Sequence, residues 1–76
     1  MNKQRRDELT NALVALEAAR GTVEQVLSEE QDSFDNLPEA LQQAPNGEQI
    51  QEAISSLEEV INHIDEAISS LDAARE

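Results

Sequence analysis

The stretch that decides the fold is Ile50–Leu71, IQEAISSLEEVINHIDEAISSL. Its apolar residues Ile50, Ile54, Leu57, Ile61, Ile64, Ile68 and Leu71 are separated alternately by four and three positions, and Arg75 takes the next place. That is the 3.5-residue period of a coiled-coil seam, and a strand would alternate every two. The segment also repeats itself: Glu52–Leu57 (EAISSL) recurs as Glu66–Leu71 fourteen residues on, which is two heptads and needs no solenoid.

Working outward, the N-terminal half carries the same spacing through Leu9, Leu13, Leu16, Val23, Leu27 and Phe34, provided Arg20 and Glu30 hold the two missing places. With Leu13 and Ile54 taken as heptad position a, a second stripe occupies g: Ala12, Ala19 and Val26, then Ala53, Val60, Ala67 and Ala74. An a/d seam serves two helices, whereas adding g widens the apolar face to what a helix with two neighbours needs. Between the halves, Pro38 should end the first helix by Asn36 or Leu37, because the residue before proline is pushed out of the α region. Pro38–Gln42 can form one helical turn capped by Asp35 or Asn36, and Pro45-Asn46-Gly47 reads as a turn with Asn46 capping the second helix. Phe34, Leu37 and Leu41 would then plug the closed end.

The expected fold is therefore all-α: one domain over residues 1–76, with a helix at 3–34, a connector at 35–46 and a helix at 47–75. The two helices form an antiparallel hairpin in which Leu27 lies beside Leu57, Leu13 beside Leu71 and Arg20 beside Ile64. Two helices of one chain cannot bury both stripes, so two chains are expected to pair as a homodimeric four-helix bundle. The core of that bundle would be Leu13, Leu16, Val23, Leu27, Ile54, Leu57, Ile61, Ile64, Ile68 and Leu71.

Size and composition point the same way. A chain of 76 residues is marginal as an isolated domain, and with no cysteine and one histidine it has neither a disulfide nor a structural zinc site to reinforce it. Seventeen acids against five bases give a net charge of −12, which repels nucleic acid and anionic membranes. Met1–Arg6 is briefly basic, but no apolar run follows, and no stretch has the 18–20 apolar residues of a membrane span. A cytosolic protein is expected.

Catalytic chemistry finds no foothold: there is no His/Cys/Ser arrangement, no glycine-rich phosphate loop and no metal-binding motif. His63 falls at c, outside the seam, without a second nitrogen ligand. Neither enzyme activity nor a cofactor is expected. Arg20, at an a position beside Gly21, reads either as a register device reaching toward Glu24 or Asp65, or as a buried anion contact.

The acids themselves remain. Glu58, Asp65 and Asp72 occupy e and Glu52, Glu59 and Glu66 occupy f, with Glu17 and Glu24 at e of the first helix. The plain reading is a solvated face, and the sharper one is imitation of nucleic acid. A dimer would carry −24, twice the −12 of one chain, along about 42 Å of helix. That is about one charge per 1.75 Å, against about 1.7 Å in duplex DNA.

The segment Ser28–Gln42 (SEEQDSFDNLPEALQ), with Gly47-Glu48 and Glu52–Glu59 (EAISSLEE), resembles a group of short acidic proteins encoded by phages and prophages. The resemblance covers most of the chain, and EEQxxFDNLPExLQ is its most specific part. It implies a helical hairpin, a setting in the cytoplasm of an infected or lysogenic bacterium and, by association with that setting, inhibition of a host or defence protein. It brings no catalytic residues.

Three functions follow as expectations. The first is an inhibitor whose acidic residues Glu52, Glu58, Glu59, Asp65, Glu66 and Asp72 occupy a basic, nucleic-acid-binding surface of a host protein. The second is a structural or assembly adaptor that docks through the apolar g stripe or the Phe34–Leu41 cap. The third is a sponge for a small anion at Arg5, Arg6, Arg20 and Arg75.

Overall fold

A computed structural model of the chain describes residues 1–76. Helix α1 runs Lys3–Asp35, a single turn α2 spans Glu39–Gln42, and α3 runs Pro45–Ala74, with no strand. Two long helices packed side by side make an extended rod of 58 × 15 × 12 Å. Its radius of gyration is 17.2 Å, against about 11 Å for a globular chain of this length.

The seam runs without a gap through both helices. In α1 and just past it, the shielded positions are Leu9, Leu13, Leu16, Arg20, Val23, Leu27, Glu30, Phe34 and Leu37; every other residue from Met1 to Ala40 is exposed. In α3 and at its C-cap they are Gly47, Ile50, Ala53, Ile54, Leu57, Ile61, Ile64, Ile68, Leu71 and Arg75. All the a and d positions from Leu9 to Leu37 and from Gly47 to Arg75 are included, and only Arg6, at an a position on the overhang, is exposed, so the 3.5-residue period picks out what the hairpin covers. The cover is thin: only Leu13, Ile54 and Gly47 are buried, Leu13 and Ile54 still 8% exposed, and the rest of the seam is half-buried.

Two polar links across the hairpin set its register. Arg20 Nε donates to Asp65 Oδ1 at 2.5 Å, and Arg75 Nη1 donates to Thr10 Oγ1 at 3.0 Å. Both agree with the alignment of Arg20 beside Ile64. They also extend the layers to Glu30 beside Ile54, Phe34 beside Ile50 and Leu37 beside Gly47. At the open end Leu9 aligns with Arg75, so α1 overhangs α3 by the two turns that carry Lys3, Arg5 and Arg6.

Helix ends follow local chemistry. Asn2 caps α1, its side chain accepting from the Arg5 N–H at 2.8 Å. Pro38 ends α1 as expected: Asp35 is its last helical residue and Asn36 its C-cap. Three details of the connector differ from expectation. Pro45-Asn46-Gly47 is no turn; it is the first turn of α3, with Ala44 as N-cap and Pro45 inside the start, where proline's fixed φ and missing N–H cost nothing. Asn46 therefore does not cap. Helix α2 has Pro38 at its N-cap with no side-chain cap, so neither Asp35 nor Asn36 fills that role. Leu41 stays 50% exposed, so the plug over the closed end consists of Phe34 and Leu37, both half-buried.

The connector is held instead by Gln42 and Gly47. The Gln42 side-chain amide donates to the carbonyls of Phe34 and Leu37 at 3.1 and 3.2 Å, adding to the Leu37 N–H that the Phe34 oxygen already accepts and supplying the Leu37 oxygen with a donor. Gly47 lies directly beneath the turn: a Cβ there would stand 2.2 Å from the Gln42 carbonyl oxygen. Only a hydrogen fits.

Candidate functional site: two unlike flanks of one rod

In an antiparallel pair, the e positions of both helices flank one side of the seam and the g positions flank the other. On the g side the register pairs Ala12 with Ala74, Ala19 with Ala67, Val26 with Val60 and Ser33 with Ala53. No charge occurs among them. Val26 and Val60 remain 40% and 39% exposed, and of the seven apolar g residues only Ala53 is even half-shielded. The adjoining c positions from Ala15 to Ser70 add Ala15, Thr22, Gln49, Ser56, His63 and Ser70, and a single acid, Glu29. This flank is long and flat, and Glu29 is its one charge between Ala15 and Ser70.

The e side is its opposite. Glu17, Glu24, Glu58, Asp65 and Asp72 line it, Glu52, Glu59 and Glu66 stand at f on the outer back of α3, and all eight are exposed. Both arginines of the seam lean this way. Arg20 grips Asp65 through two nitrogens, Nε at 2.5 Å and Nη2 at 3.2 Å, and pairs with Glu24 one turn on in its own helix. Arg75 binds Asp72 through Nε and Nη2 at 3.0 and 2.7 Å, besides Thr10. The Asp65 carboxyl is consequently held below the ordinary carboxylate range, chiefly by the hydrogen bonds from Arg20, with partial desolvation opposing and the guanidinium charge adding to it. Arg20 is shifted up for the same reasons.

The six acids singled out in the sequence thus fall into two groups. Asp65 and Asp72 are already engaged by arginines of the same chain. Glu52, Glu58, Glu59 and Glu66 make no ion pair and project into solvent. Of the four arginines considered as an anion trap, Arg20 and Arg75 are committed to carboxylates, while Arg5 and Arg6 are exposed on the overhang. His63 is exposed at the border of the g flank, and no group of three or more His, Cys, Asp or Glu side chains is placed to hold a metal ion.

The most prominent surface depression is lined by Glu48, Gln51, Glu52, Ser55 and Ser56, with no apolar wall. Small-molecule sites are mostly apolar clefts. No helix is long and apolar enough to cross a membrane. The features missed in the sequence are Gln42 and Gly47: a glutamine in a polar connector gives no pattern, and glycine after asparagine looks like an ordinary turn. No family model, no curated protein and no solved structure matches the chain.

Proposed function

We propose that this chain works as a homodimer, a four-helix bundle closed over the g flanks, whose outward acidic faces bind a basic surface on another protein in place of nucleic acid. The observation that carries this reading is the uneven spread of charge around the rod: carboxylates line the e flank and the back of α3, and no acid stands at a g position. Surface area supports it. The chain exposes 5439 Å², about 800 Å² more than a compact monomer of 8.4 kDa would. One partner of a stable interface buries about that much.

Two chains of −12 repel wherever their acids face each other, and the g flank is where they meet without doing so. Pairing there leaves Glu52, Glu58, Glu59 and Glu66 outside, unpaired and available. The resemblance to short acidic phage proteins fits a host or defence protein as the target.

The test is competition. The protein should displace a labelled DNA duplex from cationic nucleic-acid-binding domains, with an affinity that falls steeply between about 50 and 200 mM salt. Replacing Glu52, Glu59 and Glu66 together by lysine should abolish displacement and leave helicity intact. Equal affinity in that variant would discard the acidic-face reading. Binding indifferent to salt and lost on Val26→Glu would favour the adaptor, which the exposed valines of the same flank also support.

A further inference from the structure

We infer that the second copy lies antiparallel to the first, the connector of each chain beside the open end of the other. The inference rests on the dimer reading above and adds its orientation. Two unrelated features of the chain select it.

One is the relief of the g flank. Along the rod its layers run small, small, large, small: Ala12 with Ala74, Ala19 with Ala67, Val26 with Val60, Ser33 with Ala53. Turned end for end, the valine layer of one copy faces the Ala19–Ala67 layer of the other, and the outer layers are small on both sides. Each level then carries a similar volume, as close packing requires. In the same direction, four valines would crowd one level and four alanines would leave a gap at the next.

The other is charge along the axis. Ser28–Ser56, which builds the closed half, holds seven acids and no base. Met1–Thr10 and Leu71–Glu76, which build the open end, hold four acids and four bases. Copies lying in the same direction would set two strongly acidic ends side by side. Turned end for end, each acidic end lies against a neutral one, and the overhanging turns with Lys3, Arg5 and Arg6 fall beside the connector of the second copy with its Asp35, Glu39 and Glu48. The flank, about 58 by 15 Å, is long enough for a flush overlap of about 800 Å² on each side. The two-fold axis would cross it at the level of Thr22 and His63.

Spin labels read the orientation directly, since the chain has no cysteine of its own. A nitroxide on Gln43→Cys marks the connector, and one on Thr22→Cys marks the middle of the flank. Double electron–electron resonance on the dimer should give about 50 Å between labels at position 43, as the helical rise requires, and less than about 20 Å at position 22. Short distances at both positions overturn the antiparallel arrangement and leave the dimer standing. No dipolar coupling at either, with a monomer mass by sedimentation, overturns the dimer and the orientation with it.

Discussion

The two glycines are both helical, and their surroundings make opposite demands. Gly21 sits at the outer b position with nothing within 4 Å of where a Cβ would be. Gly21→Ala should therefore raise stability by about 1 kcal/mol, the helix-propensity difference. Gly47→Ala gains the same propensity but drives its methyl into the Gln42 carbonyl at 2.2 Å, so it should lower stability by about 1–3 kcal/mol as the connector shifts. Urea unfolding followed by circular dichroism checks both, and the difference in sign is the result that matters. Asp65 makes a prediction in pH. Its carboxyl is depressed in the folded chain, so its contribution is complete above the ordinary value of about 3.9 and is lost as pH falls through the lower folded value. Asp65→Asn should unfold at lower urea than the parent at pH 7, and the two should converge toward pH 2. The parent itself gains from acid as its surplus charge is neutralised, so the gap between the two proteins, and not either midpoint alone, is the measurement.

The elements differ in how plainly the sequence announces them. Helix α3 is legible because its seam is complete from Ile50 to Leu71, and seven apolar residues in strict four-three spacing admit one periodicity. Helix α1 is legible only by tolerating Arg20 and Glu30, which the structure justifies differently. Arg20 stays because its stem covers the seam while its head reaches Asp65 and Glu24 at the e flank. Glu30 stays, half-buried, where the seam widens beside Asn46 and Gln49. The connector was legible only in part: the stop at Pro38 and the single turn after it could be read, the start of α3 could not. Proline followed by asparagine and glycine satisfies turn rules and helix-start rules equally, and the deciding contact, Gly47 beneath Gln42, joins residues whose spatial relation no periodicity encodes. Gln42→Ala should consequently cost about 1–2 kcal/mol, because the Leu37 carbonyl loses its donor and the Phe34 carbonyl keeps only the backbone N–H of Leu37. Hydrogen exchange should localise the effect to residues 34–48, with the open half unchanged.

For the molecule as a whole, the seam could be read from the sequence because it obeys a period, and the division into flanks followed from the same heptad once the antiparallel register was known. What the flanks meet was not written there, since complementarity belongs to two surfaces and the chain supplies one. Val60→Glu is the economical probe. It leaves the a/d seam intact and places a carboxylate in the middle of the g flank, opposite Val26. Sedimentation equilibrium should then report a monomer of 8.4 kDa where the proposed pairing gives the parent twice that mass, and the loss of mutual support should lower the unfolding temperature. High salt, which screens like charges, should restore little, because the cost is dehydration of the new carboxylate and screening does not remove it.

The clasp of Arg75 with Thr10 and Asp72 sits at the far end of the rod from the connector, where α1 begins and α3 ends side by side. A pull applied to those two neighbours would load the clasp first, then Leu13 against Leu71, then Leu16 against Ile68, each level bearing the strain alone. The hairpin would open like a zipper, at low force and from a known end. It would close again from the connector, where the shortest loop has to be drawn together.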